Sequence, residues 1–432
     1  MGTYTAYDLP VVDETIDGHL RTLTRICLSA LASNLDSVIL SGSFGRGEGS
    51  VVLHGDGSVE PLRDYDVRII TQRPVPPKVL DEIRSSFMSF TKLGGTHERF
   101  SGENGFSLTV EALTVAQLSG PFVRDRDLRA YDHLTASRVI YGTDRAPLLR
   151  FPAADIPKVN GLRFLYQKMI GLVGHFGGRN ASTDAGGTLL YECNKTWVEM
   201  CTALVLLAGA YVPSYRERAE RFVDNWQAWF PELADCVPDL GIHIVRATRE
   251  KLYPGSTTPF REDDAFSQVR ASLLAVHRFY VQKLYSLDVR PGRSGCAALR
   301  RALSSDYFRM AATQWLRSRG LNIAAGRHLV NAAYHRLLRV RFARGAGRRG
   351  LAVVWDTLRS GEAPAIDVFL AAWCALAAAG EPPDDTLLDC AAYALDRLPG
   401  PAAPRHCPSG WVHYRTVRER LTLAYSTWER HR

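Results

Sequence analysis

The chain has 432 residues, 46% of them hydrophobic, and 53 basic against 45 acidic side chains give it a net charge of +8. That supplies a sizeable core and a length suited to two or three domains. Gly and Pro form no tracts, which excludes disordered and fibrous classes, and no apolar run reaches the roughly 18 residues needed to span a bilayer. Asp8, Asp13, Glu14 and Asp17 precede any apolar stretch, the wrong charge for a secretory signal. Ala6 stands where a myristoylation signal wants Ser or Thr. A soluble cytoplasmic protein with no membrane partner is expected. The eight cysteines (27, 193, 201, 236, 296, 374, 390, 407) form no C-x-x-C pair and read as buried free thiols.

The charge is unevenly spread. From Pro291 onward there are 21 Arg, no Lys and 11 acids, and no acid lies between Asp306 and Asp356. Ten arginines from Arg309 to Arg349 fall in that interval, a run suited to an anionic partner or to a solvated face. Only seven of the basic residues are Lys, so the chain's general preference for Arg weakens any inference from Arg alone.

In chain order, Thr15 to Ser33 carries apolar residues at helical spacing. Ser37–Leu40 reads as a short strand that runs into a Gly-rich turn over 41–49. Val51–Leu53 and Ser58–Glu60 flank His54-Gly-Asp-Gly57 as a hairpin. Asp64–Ile70 alternates and is β-branched, a second strand; Asp81–Phe90 is a short helix; Phe106–Val115 is a third strand. Tyr131–Ile140 reads as helical, closing on Tyr141-Gly142. Beyond about Pro157 the strand signals stop. Helices are expected at 162–173, 189–209, 214–230, 242–253 and 264–287, then a linker at 291–295. Further helices follow near 299–318, 327–342, 366–379, 386–398 and 412–430. The fold class is therefore α+β: a small mixed-sheet domain over 1–155, a helical domain over 156–290 and an Arg-rich helical domain over 291–432.

Asp64 and Asp66 lie at i and i+2 on a strand and so project from one face, with Tyr65 and Val67 on the other. Mg²⁺ takes hard oxygen ligands, usually a carboxylate or two plus phosphate oxygens. Two such ions can clamp the attacking and leaving oxygens of an in-line displacement. Glu111, an acid alone in an otherwise uncharged strand, is the candidate third ligand, with Glu98 and Glu103 as rivals. Gly42-Ser43, just after a strand, offers backbone N–H groups and a hydroxyl to phosphate oxygens, and Arg46 could reach the same oxygens.

Strand, Gly-Ser, Asp-x-Asp on the next strand and an acid on a later one together resemble the DNA polymerase β-like nucleotidyltransferase superfamily, over roughly residues 15–145. The resemblance implies that Gly42 and Ser43 contact a triphosphate. It implies that Asp64 and Asp66 bind two Mg²⁺ ions, with Mn²⁺ able to replace them, and that Glu111 binds the catalytic metal and helps activate the acceptor. The gap from Ser43 to Asp64 exceeds the family's usual spacing, and the hairpin at 51–60 accounts for it as an insertion. In several relatives a Lys from the following helical domain contacts the triphosphate tail, with a Ser-Tyr pair further on. Lys195, Ser214 and Tyr215 stand in that order here, and Ser214 also reads as an N-cap with Glu217 completing a capping box. Arg270 and His277 have the R-x₆-H spacing of HEPN-type ribonucleases, but also that of neighbours on one helix.

The expected activity is Mg²⁺-dependent transfer of an NMP, with AMP from ATP favoured, to a hydroxyl of a small-molecule acceptor, releasing pyrophosphate. The alternatives are terminal nucleotide addition to RNA through the basic C-terminal region, a toxin-like enzyme that nucleotidylates proteins, and a catalytically silent nucleotide-binding module.

Overall fold

The computed structural model describes residues 2–93, 106–116, 128–145, 151–177, 186–257, 262–303, 364–398 and 409–431. The Arg309–Arg349 run, Glu98, Glu103, Cys407 and the helices expected at 327–342 and over most of 299–318 lie outside these residues. The chain is mixed α+β and divides into two compact units. The first comprises Met1–Asn160, Asp184–Ala234 and Pro238–Phe260; the second comprises Gly161–Thr183, Asp235–Val237 and Arg261–Arg432.

The first unit opens with α1 (Pro10–Leu31), which has Pro at its first turn, where no N–H is required. Val12, Ile16, Leu20, Leu23, Cys27 and Leu31 form its buried stripe, each worth about 1.5–3 kcal/mol of burial. β1 (Leu35–Ser41) follows and runs into α2 (Gly42–Gly45), a single helical turn where a Gly-rich turn was expected. β2 (Val51–Leu53) and β3 (Val59–Pro61) pair antiparallel, so the hairpin predicted between Ser43 and Asp64 is present. β4 (Asp64–Thr71), α3 (Pro77–Thr91) and β5 (Ser107–Thr114) come next.

The main sheet has the order β5-β4-β1-β6. β4 pairs antiparallel with β1 and parallel with β5, and the stretch between β4 and β5 holds α3, the kind of crossover that a parallel pair requires. The helix expected over Tyr131–Ile140 is corrected. α4 spans Leu128–Ala136, and Arg138–Gly142 is β6, antiparallel to β1. Val139, Ile140 and Tyr141 are β-prone, and β1 supplies a partner that sequence periodicity could not reveal. Val38, Leu40, Tyr65, Val67, Ile69, Leu108 and Val110 join the side chains of α1 and α3 in one core. This leaves Asp64, Asp66, Arg68, Thr109 and Glu111 on the opposite face of the sheet.

Helices complete both units: α5 (Val159–His175), α6 (Gly186–Ala208), α7 (Tyr215–Trp229), α8 (Pro231–Cys236), α9 (Leu240–Leu252) and α10 (Glu262–Tyr285). The predicted linker at 291–295 shrinks to a bend at Pro291-Gly292, and residues 293–303 are helical. α11 (Pro364–Ala378), α12 (Asp385–Asp396) and α13 (Trp411–His431) follow. Trp373, Tyr166, Tyr280, Tyr414, Phe266 and Phe369 are fully buried in the second unit. No helix among the described residues is long and apolar enough to cross a membrane. Six described cysteines are buried, but Cys236 is exposed, against the expectation of buried thiols throughout.

Candidate active site

The C-terminal end of β1 lies beside the start of β4, with Ser41 opposite Asp66. Gly42 follows Ser41 at φ +64, a conformation that L side chains rarely adopt. A Cβ at this position would come within 2.2 Å of Asp66 Oδ2. The backbone of the Gly-Ser turn is thus seated against the carboxylate, and only glycine permits it. Burial, together with the neighbouring Asp64, pushes the Asp66 carboxyl up to about 6, against the lowering influence of Arg46. Neighbouring carboxylates on one face, one of them largely shielded from water, call for cationic compensation.

Glu111 shares the sheet face of Asp64 and Asp66 but stands further along it. Asp66 pairs with Thr109 in the parallel register, whereas Glu111 pairs with Arg68. Arg68 Nε donates to Glu111 Oε2 at 3.1 Å, and the Glu111 side chain is 60% exposed. Among the described residues no three His, Cys, Asp or Glu side chains are gathered closely enough to hold one ion. The sheet face therefore presents Asp64 and Asp66 on β4 and, on the edge strand β5, an Arg68-held Glu111 whose charge also raises the Asp66 carboxyl.

Cations gather along the segment that follows the turn. Arg46, its side chain 8% exposed, donates to Asp132 Oδ2 at 3.3 Å, lies 3.8 Å from Glu48 and stacks 4.7 Å above the Tyr215 ring. Tyr211 donates to the other oxygen of Asp132 at 2.6 Å, and Arg218 donates to the Tyr211 hydroxyl at 2.9 Å while stacking on Tyr215 at 4.6 Å. Lys195 lies over the ring of Tyr191, on which Arg63 also stacks. Tyr191 first, then Glu192 and Glu199, raise the Lys195 ammonium above its ordinary value, and the residue is exposed to solvent.

Lys251 enters from the last turn of α9. Its Nζ donates to Ser50 Oγ at 2.7 Å, and it lies 5.6 Å from the Tyr215 ring centroid. Burial first, then Arg46 and Lys195, push it down to about 8, while Asp64 and Glu48 oppose the shift. Among the described residues neither Lys195 nor Lys251 has a carboxylate within ion-pair distance.

Ser214 is the N-cap of α7, as the sequence predicts: its Oγ accepts from the N–H of Glu217 at 3.1 Å. Its hydroxyl proton goes to Glu48 Oε1 at 2.7 Å. Ser41 Oγ and His133 Nδ1 lie 2.7 Å apart at the end of β1, where burial, aided by Arg68, pushes His133 down to about 3 and keeps it neutral.

Sequence reading missed Lys251, Glu48, Asp132 and Tyr211. Lys251 carried one signal, its place among only seven lysines. Glu48 carried another, as an acid inside a Gly-rich turn, whereas nothing in the sequence marks Asp132. Arg270 and His277 are spoken for in the second unit. Arg270 donates to the carbonyls of Leu376 and Ala377, and His277 is wholly buried against Tyr166 and Trp373.

No family model matches the chain, and no curated protein matches it. Among solved structures the chain is similar to spectinomycin adenyltransferase AAD(9) from Enterococcus faecialis, crystallised with ATP and spectinomycin. The two are 11% identical, and the match covers 60% of this chain and 98% of the other at a TM-score of 0.36.

Proposed function

We propose that the chain is a nucleotidyltransferase that moves an NMP, from ATP by preference, to a hydroxyl of a small-molecule acceptor and releases pyrophosphate. One observation carries this reading. Asp66, paired on one strand face with Asp64, sits against the Gly-Ser turn, and Lys195 and Lys251, with no carboxylate at ion-pair distance among the described residues, lie near the same segment. Lysines and aspartates that form no ion pair among the described residues suit a ligand that brings both phosphates and metal.

The donor set fits Mg²⁺. Asp64 and Asp66 are hard oxygen ligands on one face, and Mg²⁺ takes few protein ligands when phosphate oxygens supply the rest. When bound, Mg²⁺ would neutralise the phosphate charge and lower the barrier to in-line displacement. The N–H groups of the Gly42-Ser43 turn would receive phosphate oxygens, and Arg46, Lys195 and Lys251 would offset the charge of the pyrophosphate half. Tyr215, held between Arg46 and Arg218, would wall the same space. We assign Ser214 to holding Tyr215 in place, since its proton is committed to Glu48. The acceptor would lie against the open polar row Ser107, Thr109 and Glu111, with Glu111 taking the hydroxyl proton once released from Arg68.

The test is incubation with each labelled NTP, Mg²⁺ and a panel of polyhydroxylated small molecules, alongside an Asp64→Ala/Asp66→Ala variant. Acceptor-dependent pyrophosphate release by the unsubstituted protein alone is expected. Equal release by both proteins sinks the reading.

A further inference from the structure

The segment after the Gly-Ser turn is tied down at Glu48 and at Ser50. Its backbone is closed on itself: Arg46 N bonds to Gly42 O at 3.3 Å, Gly47 N to Phe44 O at 3.2 Å and Glu48 N to Ser43 O at 2.9 Å. Beyond it, Gly49 N bonds to Tyr4 O and Leu62 N to Ser50 O, both at 2.9 Å. The position of Glu48 is therefore fixed relative to Ser43.

The Glu48 carboxylate is 2% exposed, so each of its lone pairs must find a donor. It finds them at the start of α7. Oε1 accepts from the Ser214 hydroxyl at 2.7 Å and from Arg216 N at 3.0 Å, and Oε2 accepts from Tyr215 N at 2.7 Å. The first N–H groups of a helix have no partner within it and favour a negative charge. Glu48 supplies that charge from a segment more than 160 residues away in sequence. Two residues on, Ser50 Oγ accepts from Lys251 Nζ and donates to Lys251 O, each at 2.7 Å.

We propose that Glu48 is a positioning residue for nucleotide binding: it transmits the placement of the Gly42-Ser43 turn to the first turn of α7 and so sets where Tyr215 stands. The inference rests on the nucleotidyltransferase reading. Glu48 touches no substrate in this account. A carboxylate buried only to stabilise the fold could accept from any donors. This one takes three from a single helix start, whose Tyr215 stacks against Arg46 of the same segment. Glutamine cannot replace it, because its amide would present N–H groups to the N–H groups of Tyr215 or Arg216.

The test combines amide hydrogen exchange with nucleotide binding on the full chain, comparing Glu48→Gln, Glu48→Ala and a stability control, Cys27→Ala, in the core of α1. Faster exchange at 215–216, with the rest of α7 still protected, and a loss of Mg²⁺–ATP affinity of about tenfold are expected in both Glu48 variants. Cys27→Ala should lower the melting temperature with affinity unchanged. Unchanged exchange at 215–216, faster exchange with unchanged affinity, or an equal affinity loss in Cys27→Ala overturns the inference and leaves the functional reading standing. Absence of Mg²⁺–ATP binding by the unsubstituted protein overturns both.

Discussion

In the second unit Asp367 is wholly buried, yet Arg300 reaches it at 2.7 Å and Arg397 at 3.3 Å. His277 is equally buried, and burial pushes it down to about 3, so it sits neutral among aromatic rings. In the first unit Asp64 raises the Asp66 carboxyl, while Lys195 and Lys251 lie near the same turn with no carboxylate at ion-pair distance among the described residues. The second unit closes its buried charge internally, as the first does around Glu48 and Asp132, but Asp64, Asp66, Lys195 and Lys251 form no ion pair among the described residues. Burial of charge alone therefore does not mark a site, since structural ion pairs are buried too.

The contrast can be broken at either end. Asp367→Ala should cost about 3 kcal/mol of stability, because it removes a buried carboxylate that pairs with two guanidinium groups. A denaturant midpoint close to that of the unsubstituted protein would mean that this pairing is not what holds the second unit.

Asp66→Asn should cut nucleotidyl transfer by more than about a hundredfold, since loss of a metal ligand costs more than loss of its outer support. The same change should raise stability at pH 7 by about 2 kcal/mol. The folded carboxyl titrates near 6 against 3.8 in the reference state, so the folded chain is penalised once the group ionises. The gain should shrink as pH falls from about 6 to 3.8 and vanish below that. Thermal melts across this range would read it, and a gain that persists at pH 3 contradicts the assignment.

Lys251→Met should weaken ATP binding about tenfold and AMP binding much less, because only the tail phosphates are lost. Lys251 loses its charge as pH rises through about 8, so ATP affinity should fall there in the unsubstituted protein and hold in Lys251→Arg. Charged Lys251 also opposes folding. Stability should rise between about pH 8 and 10.5, the span in which only the unfolded chain keeps the proton. Lys251→Met should flatten that rise.

The smallest effect is expected from His277→Phe. It removes two ring nitrogens that have no hydrogen-bond partner among the described residues, so it should change stability by less than about 1 kcal/mol, in either direction, and leave transfer intact. Lost transfer with a retained fold would show that His277 matters to the chemistry.

Local sequence determined the elements whose signals are local. The Asp64–Ile70 alternation set two carboxylates on one face because side chains alternate along a strand, whatever surrounds it. The turn residues of 54–57 specified the hairpin between Ser43 and Asp64, and the stripe of α1 was legible from its spacing. Tertiary structure decided which distant segments supply partners. It made Arg138–Gly142 a strand by offering β1 as a neighbour. It set Glu111 beside Arg68 rather than Asp66, because register follows from how two strands pair. It brought Glu48 to the start of α7 and Lys251 to Ser50, and it joined 184–234 and 238–260 to the sheet-bearing unit. Burial and charge balance depend on neighbours far apart along the chain, so only folding could separate the closed charges around Asp367 from the open ones around Asp66.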